Sequence, residues 1–227
     1  MGTVLEELRP SAIRDHVAAI IRRALMERRF LPGETLSEAV LAKQLKISRG
    51  PVREALLVLV QEGLAVHSQN RGFTVLELTP RDLADITQAR IPMEAKALEL
   101  ARERATAEQI NRIEKLKEEL LEAFRPADWT RCGLLDLEFH TVIWEASGNP
   151  WLVHALKRIM GPYFTFTGIH HILSERLTEE LMERQHRMYV DYLRGVSQYS
   201  AQECVEFHVD LSGTPGDFVQ RGPESRP

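Results

Sequence analysis

Cysteine is scarce in this chain: Cys132 and Cys204 are the only two among 227 residues. Two thiols do not make a disulfide framework, so a reducing cytoplasm is the expected setting. No apolar run approaches the roughly 20 residues of a membrane-spanning helix, so no membrane partner is expected. The opening MGTVLEELRP has neither the basic stretch nor the apolar block of a secretory signal. Glycine (13) and proline (11) are too few for a low-complexity chain, and no internal repeat is visible. The formal net charge is −4, which argues against a chain that is a nucleic-acid-binding surface throughout.

The charge is unevenly spread. Residues 1–78 carry 11 Lys and Arg against 9 Asp and Glu, whereas the remainder carries 18 against 24. A slightly basic front and an acidic back point to two parts with different partners. In the front part, Ile13, Val17, Ile20, Ile21 and Leu25 recur at helical spacing behind a capping Ser11. That helix is expected to end near Phe30, before LPGE. Ser37 caps a short second helix carrying Val40, Leu41 and Leu45. KIS makes a tight connection, and Ser48 starts a third helix that tolerates Pro51 in its first turn and turns Val52, Leu56, Leu59 and Val60 inward. Two β-prone runs, 65–67 and 73–76, flank a turn near 70–72 and predict a hairpin. Helix, helix, turn, helix, hairpin is the outline of a winged helix-turn-helix.

From residue 81 to 211 the pattern is helical throughout, with breaks expected near 104–106, 125–128, 147–150, 161–162, 170–174 and 195–200. Six or seven helices joined by short loops make a helical bundle. The fold class is therefore mainly α: an N-terminal winged helix-turn-helix of three helices plus a β-hairpin, followed by a C-terminal all-α bundle. The expected boundaries are 1–78 for the first domain, 79–212 for the second and 213–227 for a flexible tail, with LTPRDL as linker and helix cap.

The stretch ETLSEAVLAKQLKISRGPVREALLVLVQEGL, followed by NRGFTV, resembles the DNA-binding module of the GntR family of bacterial transcription regulators. The resemblance implies contact with operator DNA through the start of the third helix and the wing. The residues agree with that role. Arg49 and Arg53 lie one turn apart at the N-terminal end of the helix, where arginine reaches guanine edges or phosphate. Gly50 leaves room for close approach. Ser37 and Ser48 offer hydroxyls and free backbone N–H groups to phosphates. Arg71 and Gly72 form the wing tip. Without the motif, Arg53 reads equally well as a solvated helix charge paired to a neighbouring acid. One departure from the family is Thr35, where many members carry an arginine that contacts DNA. Paired half-sites in the operator would require a homodimer.

The second domain holds a different signal. In GLLDLEFHTVIWEA, Asp136 and His140 share one helix face, and a buried carboxylate and imidazole need partners. His186 and His208 lie at equal distances along the chain from the turn expected at 195–200. Two antiparallel helices joined there bring both rings to one level, which Asp136 and His140 need only face. One carboxylate and three imidazoles suit a divalent transition metal, with Zn²⁺ first and Ni²⁺ or Mn²⁺ as alternatives. Each piece alone reads as an ion pair or a satisfied core histidine. Together, DLEFHTVIWEASGNPWL, the histidine of ERQH and the final histidine resemble the FCD ligand-binding domain of the FadR subfamily of GntR regulators. That resemblance implies Asp136, His140, His186 and His208 as metal ligands, a small carboxylate effector as partner, and Arg90 of TQARIPMEAKALELA facing the effector. A plain salt bridge from Arg90 to Glu94 at i+4 is the alternative. Cys132 and Cys204 each lie one turn before a ligand, but fit better as small buried fillers.

Two functions follow. One is a ligand-responsive repressor that is not an enzyme. The other is a metal-dependent hydrolase with a DNA-binding appendage, since zinc with an open position activates water. Against the hydrolase, HExxH is missing, and Glu138 projects about 200° around the helix from Asp136.

Overall fold

Val17, Ala18, Ile21 and Leu25 form one stripe of the first helix, α1 (Ser11–Met26), and that stripe is buried. Ile13 and Ile20, also expected on the apolar face, are exposed. The computed structural model describes residues 11–69, 71–167 and 178–209; Ser11, the expected cap, is the first of them and already lies in the helix. The helix stops at Met26, short of Phe30. Arg28 takes a left-handed φ of 55°, and the N–H groups of Arg28 and Arg29 bond the carbonyls of Leu25 and Ala24. This is a Schellman termination without the usual glycine, so LPGE is not what ends the helix.

The chain divides into two compact units, Met1–Glu77 and Leu78–Pro227. In the first, α1 packs on α3 (Arg49–Gln61), and α2 (Glu38–Leu45) packs on α3 as well. Val52, Ala55, Leu56 and Leu59 are the buried face of α3, while Val60 is half-buried. On α2 only Leu41 and Ala42 are buried; Val40 is exposed. Lys46, at φ 56°, closes α2 with a second glycine-free Schellman turn, in which the N–H of Ile47 bonds Ala42. Strands β1 (Ala65–Ser68) and β2 (Gly72–Val75) pair antiparallel, with Ala65 opposite Val75 and Ser68 opposite Gly72. Phe73 and Val75 point into the core. Residues 33–36 add an edge to this hairpin through Gly33 N–H to Val75, Val75 N–H to Glu34 and Leu36 N–H to Phe73. Asn70, in the expected turn, lies outside the described residues.

The second unit opens with α4 (Pro80–Arg104), capped by a reciprocal box between Thr79 and Asp82. Helices α5 (Ala107–Phe124), α6 (Trp129–Ala146) and α7 (Pro150–Pro162) follow. Thr106, Asp128 and Asn149 cap them with side-chain oxygens. The expected break at 161–162 is absent. The helix runs on into a π-helical turn at Tyr163–Thr167. Pro162 supplies no N–H, and the Thr165 hydroxyl bonds the Gly161 carbonyl. The break expected at 170–174 and the tail at 213–227 lie outside the described residues. Helices α8 (Glu179–Leu193) and α9 (Ala201–Val209) complete the unit. Leu98, Ile113, Leu116, Phe139, Ile143, Tyr189 and Val205 form its central core.

Candidate metal centre and nucleic-acid interface

Asp136, His140 and Trp144 stand at successive i+4 positions on α6, and all three are buried. Helix α8 brings His186 to them, and α9 brings His208. Gln185 ties α9 to α8, its amide donating to the carbonyls of Phe207 and His208 at 3.4 Å. One ligand atom from each of Asp136, His140, His186 and His208 lies within 4.8 Å of every other. The short edges are 3.0 Å from His186 Nε2 to Asp136 Oδ1, 3.1 Å between the Nε2 atoms of His140 and His208, and 3.5 Å from His140 Nε2 to Asp136 Oδ1. Ligands about 2.0–2.1 Å from a common ion stand roughly 2.9–3.4 Å from their neighbours, so these residues fit a first-row metal.

The rings are oriented from behind. His186 Nδ1 donates to the Met182 carbonyl at 2.8 Å, which turns Nε2 inward toward Asp136 as the atom that would take an ion. His140 Nδ1 faces Glu94 Oε1 at 3.5 Å. Glu94 is held by Arg90 Nε at 2.6 Å and by the indole N–H of Trp144 at 3.1 Å. Arg90 and Glu94 are each 1% exposed, so neither is a solvated surface charge. Burial opposes the Arg90 charge, and the adjacent Glu94 carboxylate more than restores it, raising the guanidinium above its ordinary range. Arg90 also lies over the Tyr163 ring at 5.0 Å. The salt bridge to Glu94 therefore exists, and it leaves Nη2 of Arg90 without a partner among the described residues.

Burial pushes the Asp136 carboxyl upward, but hydrogen bonds and charge from His140 and His186 outweigh it and hold the group well below the usual carboxylate range. Burial, and then the charges of His140 and His186, hold His208 well below an ordinary histidine. His208 is partly exposed as a residue, yet its Nδ1 is shielded from solvent. The cysteines stay out of the cluster. Cys132 packs with Leu120, Ala123 and Met182, and burial raises its thiol to about 12. Burial raises Cys204 to about 11, and its thiol faces the Met188 carbonyl. Glu138 points away to Arg112. Sequence reasoning missed Trp144 and Tyr189 as parts of the site. Their signal was present: Trp144 is one turn past His140, and Tyr189 three residues past His186.

In the first unit, Ser48 occupies the N-cap of α3 without a side-chain cap bond, so its hydroxyl is not engaged in capping. Arg49, Gly50 and Arg53 are exposed in the first turns. A Cβ on Gly50 would meet nothing within 4 Å, so internal packing does not require a glycine there. Arg53 reaches Glu38 at 3.2 Å, a surface pair worth little. Ser37 differs from Ser48: its hydroxyl accepts the Val40 N–H at 3.4 Å and caps α2. Arg71 is exposed, and Gly72 needs its φ of 68° rather than space. Thr35 bridges to Thr74.

Residues 13–75 match the bacterial regulatory proteins of the gntR family, and residues 85–211 match the FCD domain. The chain belongs to the GntR family and carries an FCD domain. It is 29% identical over 189 residues to the uncharacterized HTH-type transcriptional regulator YdhC of Bacillus subtilis, spanning 83% of this chain and 84% of that one. To the HTH-type transcriptional regulator McbR of Escherichia coli it is 28% identical over 179 residues, 77% of this chain and 79% of the relative. To the gluconate operon transcriptional repressor of Bacillus licheniformis it is 24% identical over 182 residues, 78% and 74% of the two chains. Among solved structures, E. coli McbR/YncC superposes with a TM-score of 0.73 at 25% identity, covering 88% of this chain and 95% of that one. A GntR regulator from Rhodococcus sp. RHA1 gives 0.72 at 23% identity, covering 89% and 96%. The regulator is a DNA-binding transcription factor and not an enzyme, which removes the hydrolase reading. Among the described residues no helix is long and apolar enough to cross a membrane.

Proposed function

We propose that this regulator is a cytoplasmic, homodimeric repressor that binds an operator with paired half-sites and releases it when a small carboxylate enters a metal-containing pocket of the FCD domain. The observation that carries the metal part is the convergence of four ligand atoms, from Asp136, His140, His186 and His208, within 4.8 Å of one another. A bound divalent ion, zinc with nickel or manganese as alternatives, would offer an open coordination position to a carboxylate. Asp136 would offset part of its charge inside the bundle. Met182 and Glu94 orient the imidazoles from behind. Arg90, buried and with Nη2 unpaired among the described residues, would meet the carboxylate as a charge-assisted donor. On the DNA side, Arg49, Gly50 and Arg53 at the exposed start of α3 would read base edges, while Ser37, Ser48, Arg71 and Gly72 would contact backbone. The repressor role draws on the gluconate operon relative.

The test is the metal content, by elemental analysis, of protein purified without a His tag, beside His140→Ala and His208→Ala. About one ion per chain in the wild type and loss in both variants is the expected result. Equal content in all three removes the site. On DNA, Arg49→Ala and Arg53→Ala should each weaken specific binding by about 1–3 kcal/mol at fixed salt, read by fluorescence anisotropy. Wild-type affinity in both would take the recognition role away from α3.

A further inference from the structure

Four shielded polar atoms of the FCD unit have no hydrogen-bond partner among the described residues: Arg90 Nη2, His140 Nδ1, His208 Nδ1 and the Tyr189 hydroxyl. Buried polar atoms in native proteins are normally paired, and an orphan asks what it pairs with. His140 Nδ1 faces Glu94, and Nδ1 of a ring that binds an ion through Nε2 points away from that ion, so Arg90 Nη2 and the Tyr189 hydroxyl are the two that ask for a partner at the ligand. A guanidinium only donates, and a phenol at neutral pH has a proton to give. The missing partner is therefore rich in acceptors.

Arg90 would meet the proposed carboxylate, and Tyr189 is the member of this group that neither the ion nor that carboxylate explains. It is 1% exposed, and its ring stands 5.3 Å from that of His140 and 5.6 Å from that of His208. It thus faces the two imidazoles while its hydroxyl bonds to nothing described. A tyrosine used only for packing in an apolar core serves as well without a hydroxyl, and leaving that group unpaired is costly.

Charge narrows the partner further. A divalent ion contributes two positive charges and Asp136 one negative, while Arg90 and Glu94 cancel. The site is left with one net positive charge. One carboxylate neutralises it; a second would leave an unpaired negative charge in a buried setting, which is unfavourable.

We infer that the Tyr189 hydroxyl donates to a neutral oxygen of the effector, so that the pocket selects a singly charged carboxylate bearing a hydroxyl or carbonyl oxygen over both the plain carboxylate and the dicarboxylate. This rests on the proposed metal-held carboxylate and goes beyond it by naming the effector class and the residue that selects it.

The experiment uses the zinc-loaded full chain and a series of one length: 2-, 3- and 4-hydroxybutyrate against butyrate and succinate, by isothermal titration. At least one hydroxy acid should bind about 10-fold or more tighter than butyrate and succinate. In Tyr189→Phe that hydroxy acid should fall to within about 3-fold of butyrate. The ratio is internal to each protein, so a general loosening of the fold moves both ligands together. Tyr189→Phe should also melt no lower than wild type without ligand, because it removes an unpaired hydroxyl. Succinate binding tightest, no advantage for any hydroxy acid, or an advantage that survives Tyr189→Phe overturns the inference. Elemental analysis of the same samples separates the two levels. Wild type that retains zinc and shows one of those outcomes loses only this inference; wild type that fails to hold zinc loses the proposed function and this inference with it.

Discussion

Glu94 is the residue on which the candidate site turns, although it is not among the four that converge. It accepts from Arg90 and Trp144 and faces His140. Replacing it by glutamine leaves the Arg90 charge buried without its counter-charge, and breaking a buried pair in this way costs about 3–5 kcal/mol. Urea unfolding of Glu94→Gln should show a loss of that size, with part recovered in Arg90→Met/Glu94→Gln; a loss under 1 kcal/mol would mean that the pair is weakly coupled. The titrating residues give a second expectation. His208 and Asp136 both have folded pKa values below their unfolded ones. The folded state therefore binds fewer protons than the unfolded chain, and acid favours unfolding. For His208 the stability is fully present above the unfolded value of about 6.5 and is lost as pH falls below it; for Asp136 the loss begins below about 3.8. Metal-free protein in chelator should hold a constant urea midpoint from pH 7.5 to 7 and lose stability below about 6.5, by at most about 1.4 kcal/mol per pH unit for each proton. A midpoint unchanged down to pH 5 would contradict the buried neutral state of His208.

At the scale of elements, helix termini separate what a sequence pattern reveals from what it hides. The caps at Ser37, Thr79 and Thr106 are side-chain hydrogen bonds, and their residue types advertise them. The terminations at Arg28 and Lys46 are left-handed turns made by residues that carry no such signal, which is why α1 reads four residues too long. Arg28→Gly should stabilise the first unit by about 0.5–1 kcal/mol, because glycine adopts a positive φ without the Cβ penalty. Thermal unfolding checks this, and a lower melting temperature would show that the Arg28 side chain contributes more than its backbone strain costs. The run through Gly161 and Pro162 errs in the other direction. Two helix breakers predict a break, and a π-helical turn absorbs them instead, with Thr165 taking the Gly161 carbonyl.

For the whole molecule, the division at Glu77 and Leu78 falls just before the Thr79 cap, so cutting there leaves α4 with its capping box. We expect residues 79–227 to fold and dimerise without the DNA-binding unit, with cooperative unfolding by circular dichroism and a dimer mass by light scattering. A molten or monomeric fragment would argue against this unit as the dimer platform. The operator-binding unit alone, residues 1–78, should then bind one half-site weakly, because it has lost the avidity of a joined pair.

Periodicity and short-range chemistry were enough to mark the helices, the hairpin and the Asp136–His140 pair, because those features are local: a face repeats every 3.6 residues, and a cap lies within four. Spacing even suggested that His186 and His208 share a level, since one turn relates them. What the sequence could not supply is which apolar positions lack a partner. Ile13, Ile20 and Val40 fit the stripe yet stand in solvent, because burial depends on what packs opposite. Nor could it show that Glu94 of α4 supports His140 of α6, or that the Tyr189 hydroxyl is left without a partner among the described residues. Those facts belong to three helices at once, and only their packing brings residues 94, 140 and 189 into one shell.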